Sequence, residues 1–216
     1  MKATTKREPA AISASTKREP VAAKGSTNRE RRGWRRQREA AARNETAILD
    51  AARRVFRGGS VDAVDVREIA RAAGVGVGTV YRRFGDKAGL LAAVVGEDER
   101  ALQDAVLSGP PPLGPGAPAR ERLAAFLAAL AELTEDNLDV LIAVDVASGG
   151  RLRVGSYGAW RLHVKALLDE LRPVQDNGWR ADALLAPLAA DLYAFHTREQ
   201  AMSRDRIVAL LTELVP

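Results

Sequence analysis

The sequence predicts an all-α protein of about nine helices. Apolar residues recur at helical spacing, first as Ile48, Leu49, Ala52, Val55 and Phe56, and similar stripes return along the chain as far as Leu214. No stretch shows a convincing period of two, so no sheet is expected. Hydrophobic residues make up 46% of the chain, which is ordinary for a protein with a substantial core.

Composition also narrows the class of protein. The 216 residues include no cysteine, which excludes disulfides and thiolate metal sites, and with only two histidines we expect no metal site. No apolar run is long enough to span a membrane, and the N-terminus does not resemble a signal peptide. A cytoplasmic protein without a cofactor is therefore expected.

Charge is distributed unevenly along the chain. Residues 1–44 carry 13 Lys and Arg against 4 Glu, residues 45–87 carry 8 basic and 6 acidic side chains, and residues 88–216 carry 12 basic and 18 acidic ones. A basic front on an acidic body suggests that only the front meets a polyanion. Arg outnumbers Lys, which suits phosphates and guanine edges, although the codon preference of a GC-rich genome explains the same excess.

Residues 1–44 are predicted to be a disordered, Arg-rich arm. They combine high charge with few large aliphatic side chains, and an imperfect repeat relates residues 5–11 to residues 16–22. Near its end, Arg31, Arg32, Arg35 and Arg36 surround Trp34. Such an arm is suited to a minor groove or to phosphates, and the alternative is a solvated tail without a specific role.

Capping residues and glycines delimit the next helices. Asn44 is predicted to cap the first helix, and Gly58-Gly59 to end it. Asp65, with Glu68 as a capping-box partner, begins a helix over Val66–Ala73. Gly74 turns the chain into a short helix over Gly78–Phe84, and Asp86 caps a helix from Lys87 to Val106.

The stretch Val66–Phe84 has the form of a helix-turn-helix unit. Ile69 and Ala70 can pack against Val80 and Phe84, and Gly74 supplies the backbone freedom that the turn needs. The second helix would then be offered to the major groove of double-stranded DNA.

Five segments here match a known family in order and spacing, and together they cover about Glu45–Val95. The sequence resembles the TetR family of regulators in Ile48-Leu49-Asp50-Ala51-Ala52, Val66-Arg67-Glu68-Ile69-Ala70, Ala73-Gly74-Val75, Gly78-Thr79-Val80-Tyr81-Arg82-Arg83-Phe84 and Asp86-Lys87-Ala88-Gly89-Leu90-Leu91.

The resemblance implies a helix-turn-helix DNA-binding domain over 45–90 and a helical regulatory and dimerisation domain over 91–216. It implies a nucleoid-associated, ligand-responsive repressor that acts as a homodimer on a palindromic operator. The alternative is a DNA-binding regulator or activator without a small-molecule ligand, controlled by a partner protein. No enzyme is expected, because the Gly-rich phosphate loop, Gly-x-Ser-x-Gly and HExxH motifs are all missing from the sequence.

The resemblance also implies roles for single residues. Thr79, Tyr81 and Lys87 would contact phosphates, while Val77, Gly78 and Arg82 would face the groove and Arg67 would reach a phosphate or a base edge. Gly76-Val77 stands where the family often has Ser-Lys, which affects the base pairs recognised. Tyr81 could instead pack under the helix and Arg83 could be solvated, while Phe84 is expected in the core.

The segment Ser108–Pro118 contains five prolines and is predicted to be an irregular connection. It marks a domain boundary, and the second half of the chain comes after it. Wide apolar arcs over Ala181–His196 and Asp205–Val215 predict a dimer interface, or simply completion of the subunit core. The predicted interface residues are Leu184, Leu188, Leu192, Phe195, Ile207 and Leu211. A small-molecule effector pocket is predicted along Phe126, Leu130, Leu138, Ile142, Tyr157, Trp160 and His163, although an aromatic stripe at this spacing also suits plain core.

Overall fold

The computed structural model describes residues 28–57, 61–148 and 156–215. These ranges contain ten α-helices and no strand, which confirms the all-α prediction. The chain divides into two compact units, residues 1–40 and residues 41–216. The helices are α1 (Asn28–Arg57), α2 (Val66–Ala72), α3 (Val77–Phe84), α4 (Lys87–Ser108), α5 (Ala119–Asp136), α6 (Leu138–Ser148), α7 (Tyr157–Leu171), α8 (Asn177–Leu185), α9 (Ala190–Ala194) and α10 (Arg204–Glu213).

Helix α1 begins much earlier than the sequence predicted. Disorder was expected up to residue 44 and an N-cap at Asn44, but the helix starts at Asn28, so both expectations are wrong for residues 28–44. These residues are mainly Arg, Glu, Gln and Ala, all of which have high helix propensity. Because they extend a helix that already packs through Ile48 and Leu49, they incur no new nucleation cost. Residues 1–27 of the predicted arm lie outside the described residues.

Three predicted helix caps are confirmed. The Asp65 carboxylate accepts from the backbone N–H of Arg67 at 2.8 Å, and the Asp86 carboxylate accepts from that of Gly89 at 2.8 Å. The Ser203 hydroxyl accepts from the backbone N–H of Arg206 at 3.2 Å. Each cap satisfies one backbone donor that the first helical turn leaves without a partner.

An amino-terminal core cluster holds α1 to α4 together. It includes Ile48 and Phe56 of α1, Ile69 of α2 and Val80 of α3, all of them buried. Val140, on α6, belongs to the same cluster. The amino-terminal core therefore includes a residue from the second half of the chain.

A carboxy-terminal core cluster forms around α5, α7, α8 and α10. Phe126, Leu127, Val164 and Tyr193 are among its most buried members. Helix α4 belongs to both clusters, because its first half contributes Leu90 to Val95 to one and its second half contributes Leu102 and Val106 to the other. The domain boundary predicted after residue 90 thus falls inside a continuous helix.

The segment predicted as one apolar arc, Ala181–His196, is not one helix. Helix α8 ends at Leu185, a 3₁₀ turn covers Ala186–Leu188, and α9 is followed by a π-helical turn over Phe195–Glu199. Pro187 explains the break, because proline has no N–H and its ring clashes with the preceding turn of an α-helix.

Two kinds of feature are absent from the described residues. No helix there combines the length and the apolar character needed to cross a membrane. No three His, Asp or Glu side chains there lie close enough together to hold a metal ion.

Candidate nucleic-acid interface and apolar pocket

The helix-turn-helix is built by helices α2 and α3 and the turn between them. Ile69, Ala70 and Val80 are buried, so the two helices share the amino-terminal core. In the turn, the N–H of Val75 donates to the Ala70 carbonyl at 3.0 Å, and Gly74 has φ +67°, a left-handed conformation that glycine adopts without strain. The sequence predicted this role of Gly74, and the prediction is confirmed.

One face of α3 is left exposed. Val77, Gly78, Tyr81 and Arg82 are spaced at i, i+1, i+4 and i+5, which places them on one side of the helix. Val77 is 37% exposed and Tyr81 48%, whereas Val80 is 1% exposed. We call these four residues the recognition face. Simple packing under the helix does not account for Tyr81, because the residue is about half exposed to solvent.

The opposite side of α3 anchors it. Phe84 is partly buried against the amino-terminal core, as the sequence predicted. Arg83, for which a solvated side chain was one alternative, forms a salt bridge with Glu45 of α1. Arg83 therefore helps to orient α3 on α1, and Arg82 remains as the exposed cation of the recognition face.

The amino-terminal end of α3 lacks a side-chain cap. Gly76 holds the N-cap position with extended backbone and supplies no side-chain acceptor. Its carbonyl accepts from the N–H of half-buried Thr79 at 2.8 Å. The first turn of α3 thus presents backbone donors and the positive end of the helix dipole, which suit an anion.

The remaining predicted contact residues lie at the starts of α2 and α4. The Arg67 side chain is exposed and lies 3.9 Å from the carboxylate of Asp65. Lys87 is the first residue of α4 and is half-buried.

In the first compact unit, the arginines of the predicted arm are carried by α1. Arg31 and Arg35 are four residues apart on the helix, as are Arg32 and Arg36, and all four are exposed. Arg35 lies 3.7 Å from Glu39, and Trp34 is 58% exposed. The arm therefore presents its cations as two adjacent rows on a helix.

The predicted dimer residues separate into two groups. Leu184, Leu188, Ile207 and Leu211 are between 2% and 6% exposed inside the carboxy-terminal core. Burial to this extent fits the alternative that these residues complete the subunit core, and it leaves them little surface for a second subunit. Leu192 is half-buried and Phe195 is 39% exposed.

An apolar cavity of about 290 Å³ lies between α4, α5, α6, α7 and the Leu185–Ala190 segment. Three of the predicted pocket residues, Leu130, Tyr157 and Trp160, line it. The indole of Trp160 lies 5.5 Å from the Phe126 ring between ring centres, so the core fixes its position.

The other four predicted pocket residues do not line this cavity. Phe126 is fully buried behind Trp160, and Leu138 and Ile142 pack with the carboxy-terminal core. His163 meets the Phe126 ring edge-on at 4.9 Å between ring centres. Burial, and then the positive charge of Arg122, lowers the pKa of His163, which therefore keeps a neutral ring at pH 7.

Sequence analysis missed two acidic side chains that line the cavity, Glu99 of α4 and Asp145 of α6. A signal for both exists in the sequence. Glu99 lies in the apolar register of Val95, Leu102 and Val106, and Asp145 lies seven residues after Leu138 in that of α6. A carboxylate on an inward-facing stripe is unusual and indicates either a local partner or a ligand.

A polar network that was not predicted from the sequence connects α1, α4 and the α5–α6 junction. The Arg53 guanidinium donates to Glu97 at 2.8 Å and to Asp98 at 2.9 Å. The Asn137 side chain donates to the other oxygen of Asp98 at 3.1 Å. Burial lowers the pKa of Arg53, but the two carboxylates outweigh it and leave that pKa raised. This arginine therefore stays charged and holds α1 to α4.

Comparisons with known proteins agree with this geometry. A family model described as "Bacterial regulatory proteins, tetR family" matches residues 48–94, which span the helix-turn-helix. No curated protein matches the chain.

Solved structures share the fold. A TetR transcriptional regulator from Streptomyces coelicolor is 29% identical with a TM-score of 0.53, over 79% of this chain and 97% of the other. A TetR-like transcriptional regulator from Rhodococcus sp. RHA1 is 23% identical with a TM-score of 0.55, over 80% and 93%. A fatty acid degradation regulator from Bacillus halodurans is 18% identical with a TM-score of 0.60, over 79% and 93%. Residues 48–94 therefore match the TetR family, and the chain shares the fold of solved TetR-family transcriptional regulators.

Proposed function

We propose that this regulator is a ligand-responsive repressor, which binds a palindromic operator as a homodimer in the cytoplasm. The observation that carries the DNA-binding part is the recognition face, where an aromatic ring, an arginine and a valine are exposed above a buried Val80. An exposed apolar and cationic face on a short helix suits the major groove, where methyl groups and guanine edges are found.

Each contact residue has a chemical role in this proposal. Val77 meets a thymine methyl, Gly78 permits close approach, and Arg82 donates to a base edge. Thr79, Tyr81 and Lys87 bind phosphates through hydroxyl and ammonium groups, and Arg67 adds a phosphate or a base contact. Phosphate contacts set affinity for any duplex, and groove contacts set sequence preference.

Dimerisation is supported by apolar side chains that the subunit leaves exposed. Trp179 of α8 is 72% exposed, and further along the chain Phe195 is 39% exposed and Leu192 half-buried. Tryptophan is enriched at the centres of protein interfaces. A two-fold pair of subunits places two recognition helices about 34–36 Å apart, which fits a palindrome.

Response to an effector is supported by the position of the cavity. Val95 and Glu99 of α4 line it, and the same helix begins at Lys87 and contributes Leu90 to the core under α3. An occupant therefore touches the helix that positions the DNA-binding unit. It would release DNA only if it binds the DNA-free arrangement more tightly than the DNA-bound one. Because one structural neighbour regulates fatty acid degradation, a fatty acid is one ligand class to test.

The DNA-binding part is tested by selecting duplexes from a random pool with the full chain, then measuring affinities by fluorescence anisotropy. Tyr81→Phe removes one phosphate contact and should weaken binding to the selected and to an unrelated duplex alike, by about tenfold. Arg82→Ala should weaken binding to the selected duplex more than to the unrelated one.

Arg100→Ala, on the exposed side of α4, serves as the matched loss of one positive charge and should leave both affinities unchanged. The proposal fails if selection enriches no sequence, or if Arg82→Ala behaves like Arg100→Ala on every duplex.

A further inference from the structure

The chemistry of the cavity identifies the class of effector more narrowly than the fold does. Its walls are almost entirely aliphatic and aromatic, and at about 290 Å³ it stands at the lower end of the range of small-molecule pockets. It therefore suits a compact organic molecule with one ring or a short branched chain.

The charged groups that line the cavity are acidic, and its neutral hydroxyls, of Thr134 and Tyr157, donate to Leu188 and Asp182. Glu99 and Asp145 project from α4 and α6, and of the described residues that line the cavity none is Lys, Arg or His. Asp145 has a partner of its own. For Glu99, by contrast, no ion pair or hydrogen bond joins its carboxylate to another described side chain. Two carboxylates in an apolar cavity, of which Glu99 has no such partner, favour a positively charged ligand and disfavour an anion.

Two aromatic rings add a second, independent preference. Trp160 and Tyr157 line the same cavity, and the Trp160 ring is held in place by Phe126 at 5.5 Å. Aromatic faces attract ammonium groups through the ring quadrupole, and the attraction grows when water is excluded. A carboxylate together with aromatic walls is the arrangement that recognises an alkylated ammonium group.

We propose that the effector of this cavity is a lipophilic monocation, an apolar amine or quaternary ammonium whose charge is neutralised by Glu99 and whose body lies against Trp160 and Leu130. This inference rests on the proposed function in one respect only, namely that the cavity is the effector site. The affinity for cations follows from the cavity itself and holds whether or not binding releases DNA.

The test compares ligands of equal shape and different charge by isothermal titration calorimetry on the full-length chain. Phenyltrimethylammonium and tert-butylbenzene differ in a single atom and in charge, and decanoate tests a fatty anion. The wild-type protein should bind the cation at least about tenfold more tightly than the neutral isostere. Decanoate should bind more weakly than the cation.

Glu99→Gln should abolish the preference for the cation and leave the affinity for tert-butylbenzene unchanged. Asp104→Asn, an exposed acid on the same helix, is the matched control and should keep the preference. Equal affinity for the two isosteres, tighter binding of decanoate, or a preference that survives Glu99→Gln would each overturn the inference.

Anisotropy on the selected duplex separates this inference from the proposed function. If the cation binds but the duplex is retained, the ligand class stands and the effector mechanism fails. If the duplex is released by decanoate and not by the cation, the effector mechanism stands and the ligand class fails.

Discussion

At the scale of single residues, the amino acids that the turn and the helix ends require were recognisable in the sequence. Gly74, Asp65, Asp86 and Ser203 hold the roles predicted for them, because caps and tight turns depend on local backbone geometry. The role of Arg83 could not be predicted, since Glu45 lies 38 positions earlier in the chain. A partner at such a distance is chosen by packing, which one sequence does not display.

The turn offers a direct test of this local control. Gly74→Ala should destabilise the protein by about 1–2 kcal/mol, because a residue with a Cβ is strained at φ +67° even though open space surrounds that position. Urea denaturation followed by circular dichroism at one fixed protein concentration measures the change.

Gly78→Ala is the matched control, since it adds the same methyl group to α3, also in open space and without a positive φ. It should leave stability unchanged or raise it by up to about 1 kcal/mol, because alanine is the better helix former. An equal loss for both variants would mean that the conformation of Gly74 is not what limits the turn.

At the scale of elements, the stripes and breakers predicted most helices, and the exceptions have physical causes. The extension of α1 over residues 28–44 was missed because its lack of large aliphatic residues also suits a disordered tail. The arc over Ala181–His196 was predicted as continuous because its apolar periodicity continues across Pro187, although the backbone there does not remain α-helical.

The charged rows of α1 lead to a prediction about salt. Replacing Arg31, Arg32, Arg35 and Arg36 by Gln should weaken binding to every duplex and flatten the dependence of log affinity on log salt. The slope should fall by about 0.9 for each phosphate that the variant no longer neutralises. Fluorescence anisotropy over a salt series measures this slope.

Gln preserves helical propensity, so the change isolates charge from the helix itself. Deleting residues 1–27 alone is the companion measurement and leaves these four arginines in place. An unchanged slope in the fourfold variant would show that these arginines do not contact DNA.

At the scale of the whole molecule, the surface that remains after folding decides where a second subunit can bind. The carboxy-terminal core buries Leu184, Leu188, Ile207 and Leu211, whereas Trp179 is 72% exposed. Trp179→Ala should therefore lower the association constant of the dimer by about tenfold or more, as loss of an interface tryptophan typically does.

Sedimentation equilibrium measures this association. Leu107→Ala removes another exposed apolar side chain, at the end of α4, and should leave the association unchanged. A Trp179→Ala protein that dimerises as tightly as the wild type would move the interface to another surface.

The sequence by itself determined the helical class, the helix-turn-helix with its turn glycine and caps, and the match of residues 48–94 to the TetR family. These features rest on interactions between residues a few positions apart, so a linear pattern records them. Only the tertiary structure decided which apolar faces are core, that α4 belongs to two clusters, and that Glu99 and Asp145 border one cavity. Those facts arise from contacts between distant segments, and a single hydrophobic pattern is compatible with burial against the same chain or against another.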